Sequence, residues 1–107
     1  DNVCYEKVFD LVQKGHQVMV FVHARNATVR TANVLIEMAR TKGHLRVFQP
    51  EDGPAVGTAS KAMSKARSRE LGDLFSNGFS IHHAGLLRQD RSMVEKIFGQ
   101  GLIKVLV

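Results

Sequence analysis

Residues 79–98 constrain the fold more than any other stretch. Phe79-Ser80-Ile81 is a short apolar run suited to a buried strand, and His82-His83-Ala84-Gly85 is a turn. From Leu87 onward, Leu87, Val94, Ile97 and Phe98 recur at helical spacing with Arg88, Arg91 and Glu95 between them. The order is strand, loop, helix. In an open parallel sheet, ligands sit where loops leave the carboxyl ends of strands, and a following helix offers free N–H groups and partial positive charge there. Gly85 lets an anion approach the backbone, and Arg88 and Arg91, one turn apart, share a helix face. This is chemistry for holding an anion.

The rest of the chain repeats the alternation. Val3 to Lys14 has the apolar spacing of an amphipathic helix that ends at Gly15. Gln17 to Val22 is nearly continuous in apolar, β-branched residues, the pattern of a strand covered on both faces. A polar break at His23-Ala24-Arg25-Asn26 leads to a helix capped by Asn26 or Thr28 and running to about Arg40. Thr41 to Thr58, broken by Gly43, Pro50, Gly53, Pro54 and Gly57, predicts a loop with a short extended piece at residues 45–48. Helical spacing returns over 59–75, where Lys61, Lys65, Arg67 and Arg69 read as a solvated basic face. Asn77-Gly78 is a turn, and Ile103 to Val107 a final strand. The expected fold is α/β with a parallel sheet and right-handed crossovers.

At 107 residues the chain has material for one modest core. Fifteen Lys and Arg against ten Asp and Glu favour a polyanionic partner, nucleic acid before an acidic membrane surface. A single cysteine, Cys4, excludes an internal disulfide framework and fits a reducing compartment. No apolar run approaches the ~20 residues of a membrane span. A start at Asp1-Asn2 and a stop inside an apolar run suggest a piece of a longer protein.

Catalytic patterns are missing. No Gly-x-Ser-x-Gly elbow is present, and no Gly-rich loop ends in Gly-Lys-Ser/Thr to cradle a nucleotide. His82 and His83, adjacent on an extended segment, point to opposite faces and lack the companions of a metal site. Asp90 reads as a helix-start carboxylate and Glu95 as an i,i+4 partner of Arg91. His16 and His44 sit beside turn glycines and carry little information, and the glycosylation pattern at Asn26 reads as accidental. What remains is a pair of post-strand loops, His23-Ala24-Arg25 and His82-His83-Ala84-Gly85. If their strands are parallel neighbours, both open on one sheet edge beside the Arg88/Arg91 helix start. Such a row of N–H groups and guanidiniums tracks a sugar-phosphate backbone without reading bases. His23, Arg25, His83, Gly85, Arg88 and Arg91 are therefore the candidate nucleic-acid-binding residues. The alternative is a non-catalytic basic α/β interaction or nucleic-acid-binding module.

Val20-Phe21-Val22-His23-Ala24-Arg25 resembles motif IV, and Ile81-His82-His83-Ala84-Gly85-Leu86 with Arg88-x-x-Arg91 resembles the His-His-Ala-Gly motif, of the second RecA-like domain of Ski2-like superfamily 2 helicases. The resemblance runs over essentially all of residues 1–107. It implies a C-terminally truncated RecA-like sheet with flanking helices, in which residues 42–75, the loop and basic helix, are a family insertion. It also implies an ATP-dependent helicase moving 3′ to 5′ on single-stranded DNA or RNA. Arg25, Gly85, Arg88 and Arg91 would face the backbone of the loaded strand. ATP and Mg would be used by the longer protein and bound by neither loop here, since the family's phosphate loop lies in a preceding RecA-like domain. Implied partners are that domain, the nucleic-acid strand and other subunits of a cointegrator-type complex, in nucleus and cytosol.

Overall fold

The computed structural model describes residues 2–22, 24, 27–51 and 53–107, with side chains from Cys4 onward. His23, Arg25 and Asn26, each invoked above for the loop after the first strand or for the helix cap, lie outside the described residues. Helix α1 (Asn2–Gln13) leads to strand β1 (Val18–Met19), and α2 (Thr28–Lys42), α3 (Leu45–Phe48), α4 (Pro54–Ser64) and α5 (Arg69–Phe75) follow. Strand β2 (Phe79–Ser80), α6 (Arg88–Gly99) and β3 (Val105–Leu106) complete the order.

The sheet is parallel with strand order β1-β3-β2. The last strand is therefore the central one. Val18, Val105 and Phe79 stand in one row across the sheet, and Met19, Leu106 and Ser80 in the next. β1 and β2 are not neighbours, so the condition that the two strands pair directly is not met; β3 separates them. Both still run parallel to β3, so both exits face the same edge. Hydrogen bonding extends past the short strands: Val20 N–H donates to the Leu106 carbonyl at 2.8 Å, and His82 N–H to that of Val107 at 3.1 Å. Gln17 buckles the start of β1 to the other end of the chain, its Nε2 donating to the carbonyls of Phe98 (2.7 Å) and Ile103 (2.8 Å).

β1 departs from its expected burial. Val18, Val20 and Val22 pack against the core, while Met19 is 54% and Phe21 86% exposed. The run is covered on one face only: successive side chains point to opposite sides, and the Val18, Val20 and Val22 row alone meets the core.

The segment 41–75 is more helical than its Gly and Pro content implied. Residues 45–48 form α3 rather than an extended piece, because Phe48 buries fully and packs its ring 5.3 Å from Phe79. Pro54 sits in the first turn of α4, where a missing N–H costs nothing. The single helix expected over 59–75 is two, α4 and α5, broken at 65–68. The break lets Ala59 and Met63 of α4 and Leu71, Leu74 and Phe75 of α5 all reach the core. Thr28 is not a cap: Ala27 occupies the N-cap of α2, and Thr28 is buried inside the helix. Gly15 and Gly78 turn the chain where expected, and Gly15, Gly43, Gly78 and Gly101 all take positive φ.

Candidate nucleic-acid interface

The carboxyl edge of the sheet carries a cavity of about 270 Å³, lined by residues from the exits of β1 and β2 and the end of β3, among them Val22, Thr28, His82, His83 and Val107. This is the place where an open parallel sheet holds a ligand. Its polar lining includes His82 and His83, at the start of the segment 82–87 that joins β2 to α6.

The two histidines hold that segment, each in its own way. His82 Nε2 lies 2.7 Å from Glu95 Oε2, tying the strand exit to the second turn of α6. Glu95 thus pairs with His82 and not with Arg91; the side chain reaches back across the sheet edge instead of along its own helix. His83 Nδ1 accepts the Gly85 N–H at 3.0 Å. The Gly85 N–H expected to meet a phosphate already has an acceptor within the turn. The two rings divide the work of holding the loop, one against α6 and one across the turn.

The first turn of α6 is open. Leu87, in extended conformation, occupies its N-cap, and no side chain caps the helix. Its first N–H groups have no side-chain acceptor at the cap, and their partial positive charge lies beside Arg88, which is exposed. Arg91 differs from Arg88: it is partly buried, and its Nε is shielded from solvent with no hydrogen-bond partner among the described residues. Asp90 between them is 5% exposed and does not guard its own helix end. Its Oδ2 accepts the backbone N–H of Ser68, 3.3 Å away on the α4–α5 connection. The Ser68 hydroxyl meanwhile donates to Glu70 at 2.7 Å and holds that carboxyl below its usual range.

The structure thus brings His83, Gly85, Arg88 and Arg91 into one loop and helix start, as sequence reasoning placed them. It gives Glu95 and Asp90 partners other than those expected, and it adds Ser68, which sequence reasoning passed over. Glu95 and Asp90 anchor the site from within α6, and Ser68 anchors it from outside. His44, read as uninformative, belongs to an aromatic cluster away from this edge, where it stacks 4.0 Å from Phe9 and its Nδ1 meets the Tyr5 hydroxyl at 2.7 Å. Nothing in the spacing of Asp90 pointed to Ser68, because the contact spans 22 residues.

The chain carries no phosphate-cradling Gly-Lys-Ser/Thr loop, and among the described residues no three His, Cys, Asp or Glu side chains converge. No helix of the described residues is long and apolar enough to cross a membrane.

The chain, a parallel α/β sheet whose carboxyl edge carries His-His-Ala-Gly and an Arg-x-x-Arg helix start, is similar along its whole length to a segment of the Ski2-like DExH helicases. The mouse activating signal cointegrator 1 complex subunit 3 is 60% identical over all 107 residues, and the human protein of that name 57%. An Arabidopsis thaliana protein named DExH-box ATP-dependent RNA helicase DExH14 is 44% identical over the same span. The chain covers about 5% of the length of each of these relatives. No protein-family model matches it.

Proposed function

We propose that this chain is part of the second RecA-like domain of an ATP-dependent helicase that moves 3′ to 5′, and that it holds the phosphate backbone of the translocated single strand. The observation that carries the reading is the uncapped first turn of α6, with exposed Arg88, on the edge where β1 and β2 both exit. Arg88 and the open N–H groups supply direct phosphate contacts. Arg91, half withdrawn into the protein, steadies the turn and presents charge from behind. His83 and Glu95 fix the loop so that these donors need no rearrangement when a strand arrives. His23 and Arg25, which follow Val22 in the sequence, belong to the same proposed grip. ATP and Mg are handled outside this segment, in keeping with the relative named as an ATP-dependent RNA helicase. The remaining partners are the first RecA-like domain and other subunits of a cointegrator-type complex, in nucleus and cytosol, with residues 42–75 a family insertion.

The test uses the longer helicase that contains this segment. Arg88→Glu is expected to weaken single-strand binding and to flatten the plot of log affinity against log salt by about 0.7 for each phosphate no longer neutralised. Adding Arg91→Glu should deepen the effect. An unchanged slope in both variants would remove backbone holding from this edge.

A second reading, a non-catalytic interaction module, draws on the exposed Met19 of β1 and Phe21 just beyond it, apolar side chains of the kind that mark a partner face. ATP-stimulated unwinding abolished by Arg88→Glu, with partner binding unaffected, would count against it.

A further inference from the structure

His83 closes the turn at the β2 exit twice over. Its carbonyl accepts the Leu86 N–H at 3.2 Å, and its ring Nδ1 accepts the Gly85 N–H at 3.0 Å. The two bonds differ in what can undo them. A carbonyl accepts at any pH, whereas Nδ1 accepts only while the imidazole is neutral, because both ring nitrogens of an imidazolium are donors. The ring bond therefore belongs to one protonation state and the backbone bond to both. Histidine's ordinary pKa of about 6.5 puts the change within reach of neutral pH.

The surroundings of the ring leave room for that change. Gly85 is exposed and His83 half-buried, so an anion reaches their bond from solvent. The described cavity lining from β1 and its exit, from α2 and from β3 carries no titratable or charged side chain, which leaves His82 as the other titratable lining group. From the facing start of α6 come Glu95, held by His82, Asp90, turned to Ser68, and the cations Arg88 and Arg91. A phosphate oxygen at the turn is a stronger acceptor for the Gly85 N–H than a neutral ring nitrogen, and its charge favours an imidazolium beside it. Nδ1, once released, takes a proton from solvent. Two donors that stood 3.0 Å apart as a pair then serve one anion, while the Leu86 bond keeps the turn closed.

We propose that His83 is a proton-coupled phosphate-binding residue: it holds the Gly85 N–H in the free protein and, when a backbone phosphate arrives, hands that donor over and binds the phosphate itself as imidazolium. The inference rests on the reading of this edge as backbone-holding, and it adds that a proton enters the complex with the strand. Because the complex then carries more protons than its separate parts, affinity rises as pH falls, by at most about tenfold per pH unit for one proton.

The experiment is calorimetry of the longer helicase binding an oligouridylate, whose bases do not titrate near neutral pH. Run at about pH 7 in two buffers of unlike ionisation enthalpy, it counts the protons taken up on binding. His83→Asn offers the Gly85 N–H a side-chain amide oxygen that does not titrate. Uptake of up to about one proton by the wild type, lost in His83→Asn with binding retained, is the expected result. No uptake by the wild type, with the salt slope still flattened by Arg88→Glu, would overturn the handover and leave the backbone-holding reading standing. Uptake undiminished in His83→Asn would put the proton on another group and overturn it too. A salt slope unchanged by Arg88→Glu would remove the underlying reading and the handover with it. If His83→Asn does not fold, the affinity of the wild type between about pH 6 and about pH 8 decides instead: a flat profile overturns the proposal, and a rise toward acid that His83→Gln abolishes supports it.

Discussion

Single residues decide where this chain can turn, and Gly78 is the most constrained of them. Its φ of 82° lies in the left-handed region, and a Cβ placed there would meet the backbone carbonyl of Phe48 far inside contact distance. The same residue offers its carbonyl to the N–H groups of Lys104 (2.8 Å) and Val105 (3.2 Å), so moving it disturbs the start of the central strand. Gly78→Ala is expected to cost more than about 4 kcal/mol, in the range reserved for backbone strain joined to a packing clash. Urea unfolding followed by circular dichroism checks this; a cost of only about 1 kcal/mol would mean that α3 moves aside easily. Asn77-Gly78 was legible as a turn from sequence. That Gly78 also supports α3 was not, because Phe48 lies 30 positions away and only the folded backbone joins them.

At the scale of elements, the long apolar periodicities were legible and the short pieces were not. α1, α2 and α6 each repeat a core stripe over three or more turns, and their ends carry glycines or charge changes that mark them. α3 spans four residues, too few to show any period, and what makes it helical is tertiary: Phe48 is buried beneath Phe79 and near Tyr5 and Phe9, at ring separations of 5.3, 6.1 and 6.2 Å. The break between α4 and α5 was hidden for the opposite reason. Alanines and basic residues continue a helical spacing through 65–68, and only the pull of Asp90 on Ser68 and the need to bury Leu71 and Phe75 turn the chain. Phe48→Ala would leave a cavity in this junction. A destabilisation of about 3–5 kcal/mol is expected, with α3 unravelling before the helices around it. Hydrogen exchange at residues 45–49 should then rise well ahead of exchange in α2; equal protection in both would show that α3 holds its shape without its aromatic anchor.

The whole molecule hangs on its last strand. Among the described residues β1 and β2 pair with β3 and not with each other, so residues 18–20 and 78–82 share a sheet only through residues 104–107. On one side the carbonyls of Lys104 and Leu106 accept the N–H groups of Val18 and Val20; on the other, Val105 and Val107 donate to Gly78 and Ser80. A strand so placed must be buried on both faces, and Ile103, Val105, Leu106 and Val107 are all buried. Five consecutive apolar or aliphatic-stemmed residues made the strand legible, but its central position was not, because strand order depends on which crossover reverses direction and the periodicity is silent on that. Proline at Val105 isolates the issue. It removes the N–H that meets Gly78, and a ring in a fully buried central strand has no room. Val105→Pro is therefore expected to abolish the cooperative unfolding transition, because β1 and β2 both detach from the sheet when β3 cannot form. Retention of a sharp transition near the wild-type midpoint would mean that the helices carry the cooperativity and that β3 only fills the space between them. The same substitution in the longer helicase tests how the grip is built, since the β1 and β2 exits keep their mutual position only through β3. Single-strand binding should fall with Val105→Pro even though the changed residue touches no candidate phosphate contact.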